Sequence, residues 1–176
     1  MELFTIIVFS ENQPGLLSQV SNIFTRRQIN IESLTVSASS IEGIHKYTIT
    51  VNSTRDMVDK VVKQIEKRVD VVKAYFYTDE EVIYQEIALY KVATNIIVDH
   101  VEVENLVRKY NARFLEINRD YAVLELTGHT EDTQLFFEEL KQYGVMQFVR
   151  SGRIAITKSS KELLSNFLEK RAEKAD

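Results

Sequence analysis

The three histidines, His45, His100 and His129, are the side chains best suited to metal or proton chemistry. They lie far apart, with no second ligand at a metal-binding spacing. The chain has no cysteine, which excludes disulfides, a thiolate nucleophile and a sulfur-ligated zinc site. The nearest approach to a metal constellation is "DHVEVE", Asp99 to Glu104, which reads better as a helix start carrying solvated carboxylates. Glu138 and Glu139 adjoin on a helix and diverge, so they make a poor acid–base pair. No nucleophile elbow, phosphate-binding loop or dinucleotide fingerprint is present. These residues offer no active site, and the chain reads as a non-catalytic protein.

Binding is a different matter. "ENQPG", Glu11 to Gly15, holds the single proline of the chain and one of its five glycines. It joins the apolar run "LFTIIVF" to the helix-like "LLSQVSNIFTRR". A helix N-terminus has unpaired N–H groups and partial positive charge, so it suits a carboxylate or phosphate. Asn12 could cap the helix or receive an amino group through its side-chain oxygen. Pro14 fixes φ and gives up an N–H that a helix start does not use. Gly15 lets a ligand approach the backbone without a Cβ in the way. A well-made turn with no ligand would use the same residues, and spacing leaves both readings open.

The elements around this stretch follow from periodicity. Leu3 to Phe9 is a short apolar run rich in β-formers, read as a buried strand. Leu16, Leu17, Val20, Ile23, Phe24 and Arg27 fall on one helical face. From Ile31 the period becomes two, and after Gly43 "HKYTITV" alternates again. "STRD", Ser53 to Asp56, resembles a capping box before a helix burying Met57, Val58, Val61, Val62 and Ile65. "VVKAYFY" closes the unit as a strand. The order β-α-β-β-α-β then repeats: strand "EIALYKV", a helix with Ile97, Val101, Val103, Leu106, Val107 and Tyr110, and a hairpin about "NRD". A helix over Thr130 to Tyr143 with Leu135, Phe136 and Leu140 inward precedes the strand "VMQFVRS". Two such units, offset by roughly 80 residues, predict an α+β protein of two ferredoxin-like domains. The expected limits are 1–78 and 84–158, joined by the acidic "TDEEV", with "RIAIT" as an added edge strand. A charged terminal helix is expected over 159–176.

Composition narrows the partners. At 176 residues with 44% apolar content, two small cores are affordable. A net charge of −4 and a pI near 5.5 weigh against nucleic-acid binding. Aromatics in "KYTITV" and "AYFYT" could stack bases, yet they lack the glycine-and-aromatic signature of RNA-binding sheets and suit a sheet core better. No apolar run approaches a membrane span and no export leader is visible, so a cytoplasmic protein without membrane partners is expected. Strands with apolar residues on both faces, such as Ile7 and Phe9 beside Phe4, Ile6 and Val8, point to self-association.

The ordered motifs carry a resemblance. "ENQPGLLSQVSNIFTRRQINIESLTVS", followed by "DVVKAYFYT", "QEIALYKV" and "VRSGRIAIT", resembles the regulatory small subunit of acetolactate (acetohydroxyacid) synthase, which opens with an ACT domain. The likeness spans nearly the whole chain, with "NIESLTV" its most specific part. It implies a homodimer through the ACT domains, with valine or another branched-chain amino acid between them as feedback inhibitor. By matched position Asn12, Gly15, Leu16 and Leu17 would hold the ligand's polar end, while Asn30 and Ile31 approach from the partner copy. It also implies activation of a catalytic large subunit carrying thiamine diphosphate, magnesium and FAD, with no cofactor on this chain. A free-standing ACT-type sensor serving another partner is the alternative. Two positions depart from the family pattern: Gln28 replaces a usual glycine at the helix end, and Leu16 replaces a frequent alanine, which would narrow the pocket.

Overall fold

A computed structural model describes residues 1–159; the terminal helix expected over 159–176 lies outside them from residue 160 onward. The chain divides into two compact units, Met1–Ile83 with the segment from Ala155, and Tyr84–Ile154.

In the first unit β1 (Glu2–Glu11) leads to α1 (Leu16–Arg26), the hairpin β2 (Ser33–Ala38) and β3 (Ile44–Ser53), then α2 (Arg55–Ile65) and β4 (Val71–Tyr77). The sheet order is β2-β3-β1-β4 with every neighbour antiparallel. Phe4, Ile6 and Val8 alternate onto the helix-covered face and meet Leu16, Val20, Ile23 and Phe24 of α1 and Val58, Val61, Val62 and Ile65 of α2. Each such side chain contributes about 1.5–3 kcal/mol over leaving it in water. Arg27, the polar last position of the α1 stripe, donates its Nε to Gln64 Oε1 at 3.1 Å. The α2 cap is Thr54, whose hydroxyl accepts from Met57 N at 3.4 Å. Ser53, first residue of the expected capping box, is instead the last of β3.

The second face of this sheet does not lie open as the strand pattern suggests. Thr5, Ile7, Thr48 and Thr50 are all at most 4% exposed. The Thr50 hydroxyl is hydrogen-bonded to that of Ser33 at 2.6 Å. An exposed apolar face on this unit is therefore not what argues for a second copy.

α1 ends in a left-handed residue despite the absence of glycine. Gln28 takes φ 56°, its N–H donates to Thr25 O at 3.0 Å, and Ile29 N donates to Phe24 O at 3.1 Å. Those two bonds form a Schellman cap, with Ile29 packed on the core as the motif requires. A non-glycine residue pays about 1–2 kcal/mol for that conformation, and glycine forfeits about half of it in chain entropy. Gln28→Gly is expected to raise stability by roughly 0.5–1 kcal/mol, read as a higher urea midpoint at unchanged slope.

A 3-10 turn, Asp79–Glu81, leads into β5 (Val82–Ala93). The second unit continues with α3 (Thr94–Asp99), α4 (Val101–Lys109), β6 (Arg113–Ile117), β7 (Tyr121–Gly128), α5 (Thr130–Lys141), β8 (Gln147–Arg150) and β9 (Ile154–Thr157). Its sheet runs β6-β7-β5-β8, with β9 also paired to β5. The single helix expected before the hairpin is broken at His100, which adopts φ −124°, and Val101 is exposed rather than inward. Leu135 is likewise 55% exposed, so α5 buries Thr133, Phe136 and Leu140 instead. "RIAIT" does form a strand, but residues from Ala155 group with the first unit, where Lys158 N donates to Glu81 O at 2.9 Å.

Near the start of α5, Glu86 is a buried carboxylate. It accepts from Thr130 Oγ1 at 2.7 Å and lies 3.4 Å from Arg150 Nε and 3.9 Å from Arg153 Nε. Removing one member of such a group exposes the others to an uncompensated buried charge.

Candidate functional site

Gln13 to Leu16 form a tight turn, closed by Leu16 N donating to Gln13 O at 3.3 Å. Pro14 occupies its second position and Gly15, at φ 85° and ψ −10°, its third. That is a type II turn, in which proline presets the second residue and the third needs positive φ. The pairing of proline with glycine is thereby explained by backbone geometry. Gly15 is also the N-cap of α1, and no side chain caps the helix, so the expected capping role of Asn12 is not taken up.

The loop is tied down on both flanks. Glu11 N donates to Asp70 O at 2.9 Å and Asn12 N to Gly43 O at 3.2 Å. Leu16 faces inward, fully buried, with its N–H spent on the turn. Among the described residues, the N–H groups of Gly15, Leu17 and Ser18 have no acceptor, and the Asn12 side chain has no hydrogen-bond partner. Leu17 is 44% exposed and Asn12 lies open to solvent. The available donors are thus those of Gly15, Leu17 and Ser18, and Ser18 was not among the residues singled out by motif. Its place at the third helical position is the signal that could have found it.

Asn30 and Ile31 sit past the other end of α1. Asn30 Nδ2 donates to Glu32 Oε1 at 3.3 Å, and the residue is exposed. Ile31 is half-buried against the core. An 11-residue helix is about 16 Å long, so Asn12 and Asn30 of one chain are separated by the full length of α1. A small ligand cannot bridge them within one copy.

The other candidates do not converge. Among the described residues, no three of His, Asp and Glu come together as metal ligands. In "DHVEVE", Asp99 ends α3 and Glu104 pairs with Arg108 along α4. No described helix is long and apolar enough to cross a membrane.

Two family models match consecutive parts of the chain. One, AHAS small subunit-like ACT domain, covers residues 6–73; the other, small subunit of acetolactate synthase, covers residues 85–159. A relative from Archaeoglobus fulgidus, described as a probable acetolactate synthase small subunit, is 32% identical over 158 residues, covering 90% of this chain and 98% of its own. The chain belongs to the acetolactate synthase small-subunit family. The Bacillus subtilis acetolactate synthase small subunit is 28% identical over 156 residues, 88% of this chain and 90% of its own. The crystal structure of the Thermotoga maritima small subunit matches with a TM-score of 0.82 at 28% identity, covering 92% of this chain and all of that one. In this family's terms the first unit is the ACT domain, and both units have the ferredoxin-like fold.

Proposed function

We propose that the chain is the regulatory subunit of acetolactate synthase, which activates a separate catalytic subunit in branched-chain amino acid biosynthesis and makes it sensitive to valine. The observation that carries this reading is the split site: open donors at the start of α1, and Asn30 with Ile31 beyond its end. Two copies related by a two-fold axis bring one end of α1 in the first beside the other end in the second. Strand β2 follows directly on Ile31 and stands at the edge of its sheet, which gives a second copy a place to align.

The chemistry suits an amino acid. The N–H groups of Leu17 and Ser18 receive the carboxylate at the positive end of the helix. Side-chain oxygens of Asn12 and the partner copy's asparagine receive the ammonium, and Ile31 borders an aliphatic side chain. Thiamine diphosphate, magnesium and flavin belong on the catalytic subunit in this reading, and the assembly works in the cytoplasm. The test is acetolactate formation by the catalytic subunit alone, then with the full chain, then with valine added. A rise on adding the chain and a fall on adding valine are expected. No rise would overturn the activating role; a rise that valine leaves unchanged would overturn the valine role.

A further inference from the structure

The second unit carries charge on the sheet face turned away from its helices. Ala88, Tyr90, Val92, Ala122, Leu124 and Leu126 point to the helices, so Leu89, Lys91, Tyr121 and Val123 line the opposite face. There an open groove of about 570 Å³ is lined by these four together with Glu116, Gln147, Phe148 and Val149. That volume falls within the range of small-molecule sites.

Strand register sets the pattern. Lys91 pairs with Gln147 on one side and with Val123 on the other, and Glu116 pairs with Val123 in turn. One row across the sheet therefore reads amide, ammonium, isopropyl, carboxylate. Glu116 reaches this row only because β6 slips register between Phe114 and Glu116. Without the bulge Leu115 would stand opposite Val123.

Tyr121 holds the two charges in place. Its ring lies 4.0 Å from Lys91 Nζ, and its hydroxyl donates to Glu116 Oε1 at 2.9 Å. Asn118 Nδ2 also donates to Glu116 Oε1, at 3.2 Å. Among the described residues, no carboxylate lies within ion-pair distance of Lys91. An ammonium and a carboxylate thus stand one strand apart from a shared valine, oriented by the same tyrosine and not neutralising each other. Leu89, Val123 and Val149 supply the apolar floor, with Val149 60% exposed.

We propose that this groove binds an apolar L-amino acid as its zwitterion, at a site distinct from the one in the first unit. Lys91 takes the ligand carboxylate, Glu116 takes its ammonium, and the side chain lies on Leu89, Val123 and Val149. Opposite charges at the two ends of one apolar strip match a zwitterion, and they penalise an amine or an acid alone.

The test uses the full chain and L-leucine, followed by the backbone amide resonances of Leu89, Tyr121 and Val123. Leucine is expected to shift them saturably. Lys91→Met and Glu116→Gln should each weaken that binding by roughly tenfold or more. Isoamylamine, which lacks the carboxylate, and 4-methylpentanoate, which lacks the ammonium, should bind as weakly as leucine does to the variants. Gly15→Asp, a change in the first unit, should leave these shifts intact, so failure of either site is read separately. Unmoved amides, or an affinity in both variants equal to that of the parent chain, would overturn the proposal. So would a change in sedimentation of Lys91→Met without any leucine effect, since the face would then belong to a second copy.

Discussion

Replacing Gly15 with aspartate is expected to lower valine affinity a hundredfold or more and leave activation of the catalytic subunit in place. The N–H groups of Gly15, Leu17 and Ser18 have no acceptor within the described chain, and a carboxylate at position 15 would stand among them. It would compete for the donors and repel the ligand's own carboxylate. Like charges at a binding surface cost several kcal/mol, and about 1.4 kcal/mol is a factor of ten. Sterics contribute little, since a Cβ at Gly15 would meet nothing within 4 Å. Backbone strain does contribute, because φ is 85° and an L-residue there costs up to about 1–2 kcal/mol. Gly15→Asn separates the two effects, since asparagine suits the third position of a type II turn and carries no charge. Calorimetry should show the asparagine variant within about tenfold of the parent. Equal losses in both variants would assign the effect to bulk. Unchanged valine affinity in Gly15→Asp would reduce the loop to a turn.

Phe136→Ala should cost the second unit about 3–5 kcal/mol, a large part of a typical domain's 5–15 kcal/mol. The ring is fully buried, edge-on to Tyr90 at 4.8 Å and tilted against Tyr110 at 5.3 Å. Tyr90 also fastens α5 through its hydroxyl, which donates to Thr133 O at 2.7 Å. Burial raises that hydroxyl above the ordinary phenol range, so it remains a donor at alkaline pH where an exposed tyrosine ionises. Losing the Phe136 ring therefore opens a cavity beside the contact that holds the helix. Amide exchange should accelerate in β5, β7 and α5 while β1 and β3 keep their protection. Phe136→Leu should recover roughly half of the loss. Uniform acceleration across both units would show that they unfold as one.

Periodicity made most of this architecture legible. The α1 face, the strand "VVKAYFY" and the "NRD" hairpin follow directly from spacing, because burial on one side imposes a repeat of 3.6 or 2. What escaped was set by contacts between elements or by backbone dihedrals. Leu135 and Val101 carry the right residue type for a core, yet the neighbouring Phe136 and Val103 fill the space. Gln28 gives no local sign that it will adopt positive φ; the Schellman bonds to Phe24 and Thr25 impose it. At the candidate site, "PG" announced a turn, helix-start chemistry singled out Asn12, and the resemblance drew attention to Asn30 and Ile31. Which N–H groups remain open depends on the Gln13–Leu16 bond, which motif reading could not supply. The Lys91–Val123–Glu116 row was hidden more deeply, since a bulge decides which side of β6 Glu116 occupies.

The length of α1 has a genetic consequence. If each site takes its donors from one chain and Asn30 from another, a pair of chains holds two sites, each assembled from unlike halves. A chain damaged at Gly15 and a chain damaged at Asn30 would then complement each other. Their mixed pair would gather both lesions into one site and leave the other wholly native. Two alleles that are each blind to the effector would together regain partial sensitivity, which two lesions at the same end of the helix never could.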